Sequence, residues 1–146
     1  MPVRPASEDY VLLSRELLQT VPVWVRWVPG LYNCWCKRLF RQVLQQRDPQ
    51  HVAQAWTPYA SLGPLPQQVI ETIAAVYRWP AERLLPDDSC FVLLGCWLRQ
   101  VADEMELEHV LLQLEERGIS LPEAMIEQLD RLSLGQLIAE LNEHRA

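Results

Sequence analysis

Few residues in this chain have both the type and the spacing that chemistry needs. Its thiols are Cys34, Cys36, Cys90 and Cys96, and its imidazoles are His51, His109 and His144. Zinc wants four such ligands converging as a tetrahedron. Cys34 and Cys36 fall in a segment of helical periodicity, where a two-residue step turns them about 200° apart, so they point away from one another. Separate reduced thiols are expected, and no metal site. Cys96 beside Trp97 has only Arg99 near it in sequence to lower its pKa, so a place in the core is expected for it too. There is no glycine-rich phosphate loop, no Ser-His-Asp or Cys-His arrangement in a recognised context and no metalloprotease helix. No catalytic residue is assigned, and an enzyme is not expected. What remains is acidic: the run Asp103-Glu104-Met105-Glu106-Leu107, followed by Glu108, Glu115 and Glu116.

The periodicity around that run predicts an all-α chain with no internal repeat and no strand. Ser7 to about Thr20 reads as a short helix with Tyr10, Leu13 and Leu17 on one face. Val21 to Gly30 alternates between prolines and reads as extended or irregular. Leu31 to Gln46 is a stronger helix. Tyr32, Trp35, Cys36, Leu39, Phe40, Val43 and Leu44 form its stripe, with Lys37, Arg38, Arg41 and glutamines opposite. Asp48-Pro49 stops it, a short turn or helix can occupy His51 to Tyr59, and Ser61 to Pro66 is the linker candidate. Pro66 suits the first position of a helix carrying Val69, Ile70, Ile73, Ala74 and Tyr77. A long loop, Arg78 to Ser89, and an apolar stretch, Phe91 to Val101, with room for a short helix, come next.

Three helix starts with capping-box spacing follow: Asp103 with Glu106, Ser120 with Glu123, and Ser133 with Gln136. Gly118 is a natural stop for the first of them. The core stripes are Leu107, Val110, Leu111 and Leu114, then Met125, Ile126, Leu129 and Leu132, then Leu134, Leu137, Ile138 and Leu141.

The order of these signals from Pro66 to Glu143 resembles the acyl and peptidyl carrier proteins. Leu85-Pro86-Asp87-Asp88-Ser89-Cys90-Phe91 is similar to that family's Pro-Asp-x-Ser-Phe loop with one residue inserted, and Leu94-Gly95 matches its Leu-Gly. Leu114-Glu115-Glu116-Arg117-Gly118-Ile119-Ser120-Leu121-Pro122 is very close to its Leu-Glu-Glu-x-Gly-Ile-x-Ile-Pro. Leu132-Ser133-Leu134-Gly135-Gln136-Leu137 is similar to the start of its last helix. The resemblance implies an acyl-carrier-like four-helix bundle over residues 66–146, with residues 1–60 as an N-terminal helical extension packed on it.

The departure from the family lies at the arm. Counting back from Gly118 places Glu104 at the position of the serine that would hold phosphopantetheine, with Asp103 as the cap. Counting forward from Gly95 without a gap places Leu98 there. Neither register offers a hydroxyl, and the arm is a phosphodiester on a serine oxygen. A helix start favours the negative charge of Glu104, but a carboxylate cannot receive the group. No cofactor is therefore expected. The resemblance implies a docking face on the acidic helix, made by Asp103, Glu104, Glu108, Glu115 and Glu116, for a basic protein partner such as an enzyme of acyl or peptidyl assembly. The plain alternative is a solvated helix face on an ordinary small helical domain.

Charge and length set the remaining limits. Of 146 residues, 49% are hydrophobic and the net charge is −6, enough apolar content for a core. Residues 1–50 hold seven basic and four acidic side chains, a net of +3, and residues 51–146 hold six and fifteen, a net of −9. The acidic surplus disfavours nucleic acid. The N-terminus lacks a secretory signal pattern and no apolar run is long enough to span a bilayer, so a cytoplasmic location is expected. Two other functions stay open. One is a genuine carrier whose attachment serine is displaced, Ser89 being the only nearby hydroxyl. The other is a membrane-peripheral adaptor using the basic, Trp-rich segment 22–46. Against the latter, the Trp residues are a large apolar payload that a small domain is expected to bury.

Overall fold

The computed structural model describes residues 22–95 and 106–145, and over them the chain is mostly helical. Among the described residues there is no strand, only an isolated antiparallel bridge between Ser89 and Ser133. The expected helix over Ser7–Thr20, the cap at Asp103, Glu104 and Leu98 at the alternative serine positions, and Cys96 with Trp97 lie outside the described residues.

Part of the segment expected to be extended or irregular is helical instead. Val23–Arg26 forms a single turn, α1, and Pro29–Gln45 forms the 17-residue α2. The prolines are the reason. Pro22 and Pro29 each stand at a helix start, where a missing N–H costs nothing, so they delimit helices rather than exclude them. α2 stops before Asp48-Pro49 as expected. The Asp48 carboxylate then accepts the Gln50 N–H at 2.9 Å and caps α3, Pro49–Ala55. A 3₁₀ turn, Thr57–Leu62, leads to Gly63, whose φ of 65° lets the chain reverse into α4, Leu65–Tyr77. Pro66 is its second residue, and both Leu65 and Pro66 are buried, so the last residues of the expected linker are part of the core.

α4 buries every residue of its expected stripe. Arg78 ends it in the left-handed region with φ 60°, and the Trp79 N–H returns to the Ala74 carbonyl at 3.0 Å. That turn drives Trp79 inward. Its ring stacks on Tyr77 at 6.0 Å and meets Phe40 of α2 edge-on at 5.1 Å. Trp79 Nε1 donates to the Leu93 carbonyl at 2.9 Å, and the Tyr77 hydroxyl donates to that of Leu94 at 2.6 Å. The aromatic trio thus joins α2, α4 and α5, Cys90–Leu93.

The loop before α5 is pinned by a buried ion pair. Arg47 donates to both carboxylate oxygens of Asp88, at 2.8 and 2.9 Å, and the Leu85 N–H also reaches that carboxylate at 2.8 Å. The same loop feeds the start of the last helix, α8, Leu134–Arg145. The Asp88 carbonyl accepts from Leu134 N at 2.7 Å and the Pro86 carbonyl from Gly135 N at 2.8 Å, which satisfies donors that a helix start leaves open.

α6, Glu106–Glu116, packs on α4 through buried Val110 and Leu114, with Leu107 and Leu111 half-buried. Gly118, φ 78°, ends the α6 segment, and the Ile119 N–H closes onto the Leu114 carbonyl at 2.9 Å. The expected cap at Ser120 does not form. α7, Glu123–Glu127, begins after Pro122, and no side chain caps it. Pro122 forces Leu121 away from helical dihedrals, so Ser120 is too far from the first turn. Ser133 and Gln136 do form the reciprocal box, at 3.2 and 3.0 Å. Leu134, Leu137, Ile138 and Leu141 of α8 are all buried.

Candidate functional site

Glutamates concentrate on α6, and helix geometry decides which can meet a partner. Glu108 and Glu115 lie within about 20° of one another around the axis, with Leu112 about 40° and Glu116 about 80° from Glu108. All four side chains are exposed, Leu112 by 59%. Asp103 and Glu104, expected on the same face, lie outside the described residues. Helix stability does not account for the pair at the end: Glu115 and Glu116 occupy the last turn, where the macrodipole disfavours acids by about 0.3–1 kcal/mol each. Next to them, Arg117 reaches the Gln68 carbonyl at 3.4 Å and the Glu71 carboxylate at 3.7 Å, tying that end of the helix to α4.

Leu112 is the member of this face that sequence reasoning missed. It stands one position off the core stripe. The signal was legible as an apolar residue flanked at helical spacing by three acids.

Glu106, expected to serve the cap at Asp103, makes a salt bridge to Lys37 of α2. Lys37 also sits over the Tyr77 ring, 5.9 Å from its centroid. Together they wall a cavity of about 570 Å³ with Cys34, Arg38, Arg41 and Arg78. Four cations face one carboxylate there. The Arg41 side chain is fixed, its Nε donating to the Arg78 carbonyl at 2.7 Å and its guanidinium lying 5.9 Å from the Trp79 ring.

The tryptophans of the N-terminal segment are not where the sequence placed them. Trp24 is 64% and Trp27 81% exposed, and Trp35 is exposed at the edge of α2, while Tyr32, Leu39, Phe40 and Val43 pack inward. Val25 is the residue of α1 that enters the core. With α1 helical, one side of the turn suffices to anchor it, and both tryptophans take the other side.

The hydroxyl of Ser89 is engaged in the fold. Half-buried at the start of α5, it accepts the Phe91 N–H at 3.2 Å. The two thiols of α2 face apart, Cys34 outward and Cys36 inward. No group of three or more metal-ligating side chains occurs among the described residues, and none of their helices is long and apolar enough to cross a membrane. In comparisons with known proteins, no family model, no curated protein sequence and no solved structure matches the chain.

Proposed function

We propose that this chain is a non-catalytic, carrier-shaped interaction module that docks through α6 on a basic protein and bears no phosphopantetheine arm. The reading rests chiefly on one observation: Glu108, Glu115 and Glu116 stand exposed around Leu112, two of them where they oppose the helix dipole. Acids steer a basic partner into register, and an apolar residue among them supplies the contact that loses water. Asp103 and Glu104 extend the acidic sequence toward the start of the helix.

Two further features support the carrier-like shape. The helices α4, α6, α7 and α8 follow in the family's order, with 13, 11, 5 and 12 residues. α4 contacts both α6 and α8, as the long first helix of such a bundle must. The commitment of Ser89 as a cap speaks against the displaced-serine alternative, because an arm needs an exposed nucleophilic oxygen. The partner class that fits is an enzyme of acyl or peptidyl assembly, which recognises carriers by their acidic helix.

A phosphopantetheinyl transferase serves as a test partner. With coenzyme A it is expected to leave the intact mass of this chain unchanged. The chain is expected instead to compete with an authentic acyl carrier protein for the transferase, and Glu108→Lys/Glu115→Lys/Glu116→Lys to relieve the competition. A gain of one phosphopantetheine abolished by Ser89→Ala, or competition indifferent to the triple substitution, overturns the reading.

A further inference from the structure

Between Pro22 and Gln46 the chain carries four basic residues and no acidic one. Within the same stretch lie six of the seven exposed large hydrophobic side chains found among the described residues: Val23, Trp24, Trp27, Val28, Leu31 and Trp35. Isolated apolar exposure is ordinary, whereas such a cluster marks a contact surface. The fold holds this cluster outward. Val25 is fully buried, its N–H bonds the Pro22 carbonyl at 3.0 Å, and its carbonyl accepts the Val28 N–H at 3.2 Å. The turn carrying Trp24 and Trp27 is therefore clamped from its inner side.

The cationic cavity borders the outward arc of α2 at Cys34 and Arg38. Around the α2 axis Arg38 lies about 20° from Leu31 and about 60° from Trp35, on the same outward arc as Cys34. Arg38, Arg41, Arg78 and Lys37 line the cavity, and its one carboxylate, Glu106, is engaged by Lys37. Guanidinium groups suit phosphate through paired N–H donors. Indole suits the boundary between lipid headgroup and acyl chain, being apolar with one polar edge.

We propose that α1 and the outer arc of α2 form a docking site for an anionic phospholipid surface, Trp24 and Trp27 entering the headgroup–acyl boundary and Arg38, Arg41 and Arg78 receiving lipid phosphate. Charge argues against a second copy as the occupant. In a two-fold contact the patch would face itself, and Arg38, Arg41 and Arg78 would meet their own like charges, the one carboxylate of the cavity, Glu106, being engaged by Lys37. The net charge of −6 makes the proposal demanding, since the chain as a whole is repelled by an anionic bilayer and only this local surface can overcome that. The site is independent of the docking reading of α6.

The test is flotation of the full chain with vesicles of phosphatidylcholine alone or mixed with phosphatidylglycerol. The chain is expected to float with the anionic vesicles at low salt, to be released as salt is raised, and to stay behind with phosphatidylcholine alone. Trp24→Ala/Trp27→Ala and, separately, Arg38→Glu are expected to lower partitioning at least about tenfold, with circular dichroism unchanged because these side chains are exposed. Failure to float with anionic vesicles at low salt overturns the proposal, as does equal flotation of the variants. So does a dimer in sedimentation that Trp24→Ala/Trp27→Ala dissociates, which would make a second copy the occupant.

Discussion

Replacing Asp88 with alanine should be among the most damaging single changes in this fold. Asp88 is fully buried and the side chain of Arg47 is only 4% exposed, so neither charge can turn to water when its partner is lost. Two N–H···O bonds to the Arg47 guanidinium disappear, together with the bond from Leu85 N. Arg47 keeps the Arg83 carbonyl at 2.9 Å, a neutral acceptor that does not neutralise its charge. Removing one member of such a pair costs about 3–5 kcal/mol. For a chain of this length that lowers the melting temperature by roughly 6–20 °C. The loss should appear in urea titration, followed by far-ultraviolet circular dichroism and by tryptophan fluorescence, since Trp56 and Trp79 donate to backbone carbonyls on either side of the Asp88 loop, those of Leu84 and Leu93. Arg47→Leu/Asp88→Leu, which removes both charges of the pair, should cost less than the worse single substitution. The reasoning is refuted if Asp88→Ala changes stability by less than about 1 kcal/mol, the range of a surface pair, or if the costs of Arg47→Leu and Asp88→Leu simply add in the double variant.

Two further outcomes follow from the start of α8. A Cβ at Gly135 would come within 2.8 Å of the Tyr59 ring and 3.0 Å of Pro86 Cβ, so Gly135→Ala should cost about 1–3 kcal/mol in thermal denaturation and be partly rescued by Tyr59→Leu. Ser133→Ala removes the hydroxyl that caps Gln136 N, and should cost about 1 kcal/mol with faster amide exchange confined to the first turn of α8.

Local chemistry made the C-terminal helices legible. The stripes of α4 and α8 are buried as their periodicity implied, Gly118 stops the α6 segment, and the Ser133–Gln136 box closes, because each depends on residues only a few positions apart. Where a local rule failed, another local rule had overridden it: Pro122 displaced the cap expected at Ser120, and Pro29 opened a helix where prolines had suggested an extended or irregular chain. The acidic face of α6 was readable in part, since exposure of Glu108, Glu115 and Glu116 follows from the stripe opposite them. Other features depend on partners distant along the chain. Arg47 finds Asp88 across 41 positions and Lys37 finds Glu106 across 69, and no spacing rule links such pairs. The tryptophans make the same point in reverse. Their composition implied burial, but a one-turn helix has a single inward side, and Val25 took it, leaving Trp24 and Trp27 on the surface. Periodicity within a helix states which residues share a face; which face meets the core is set only when the other helices arrive.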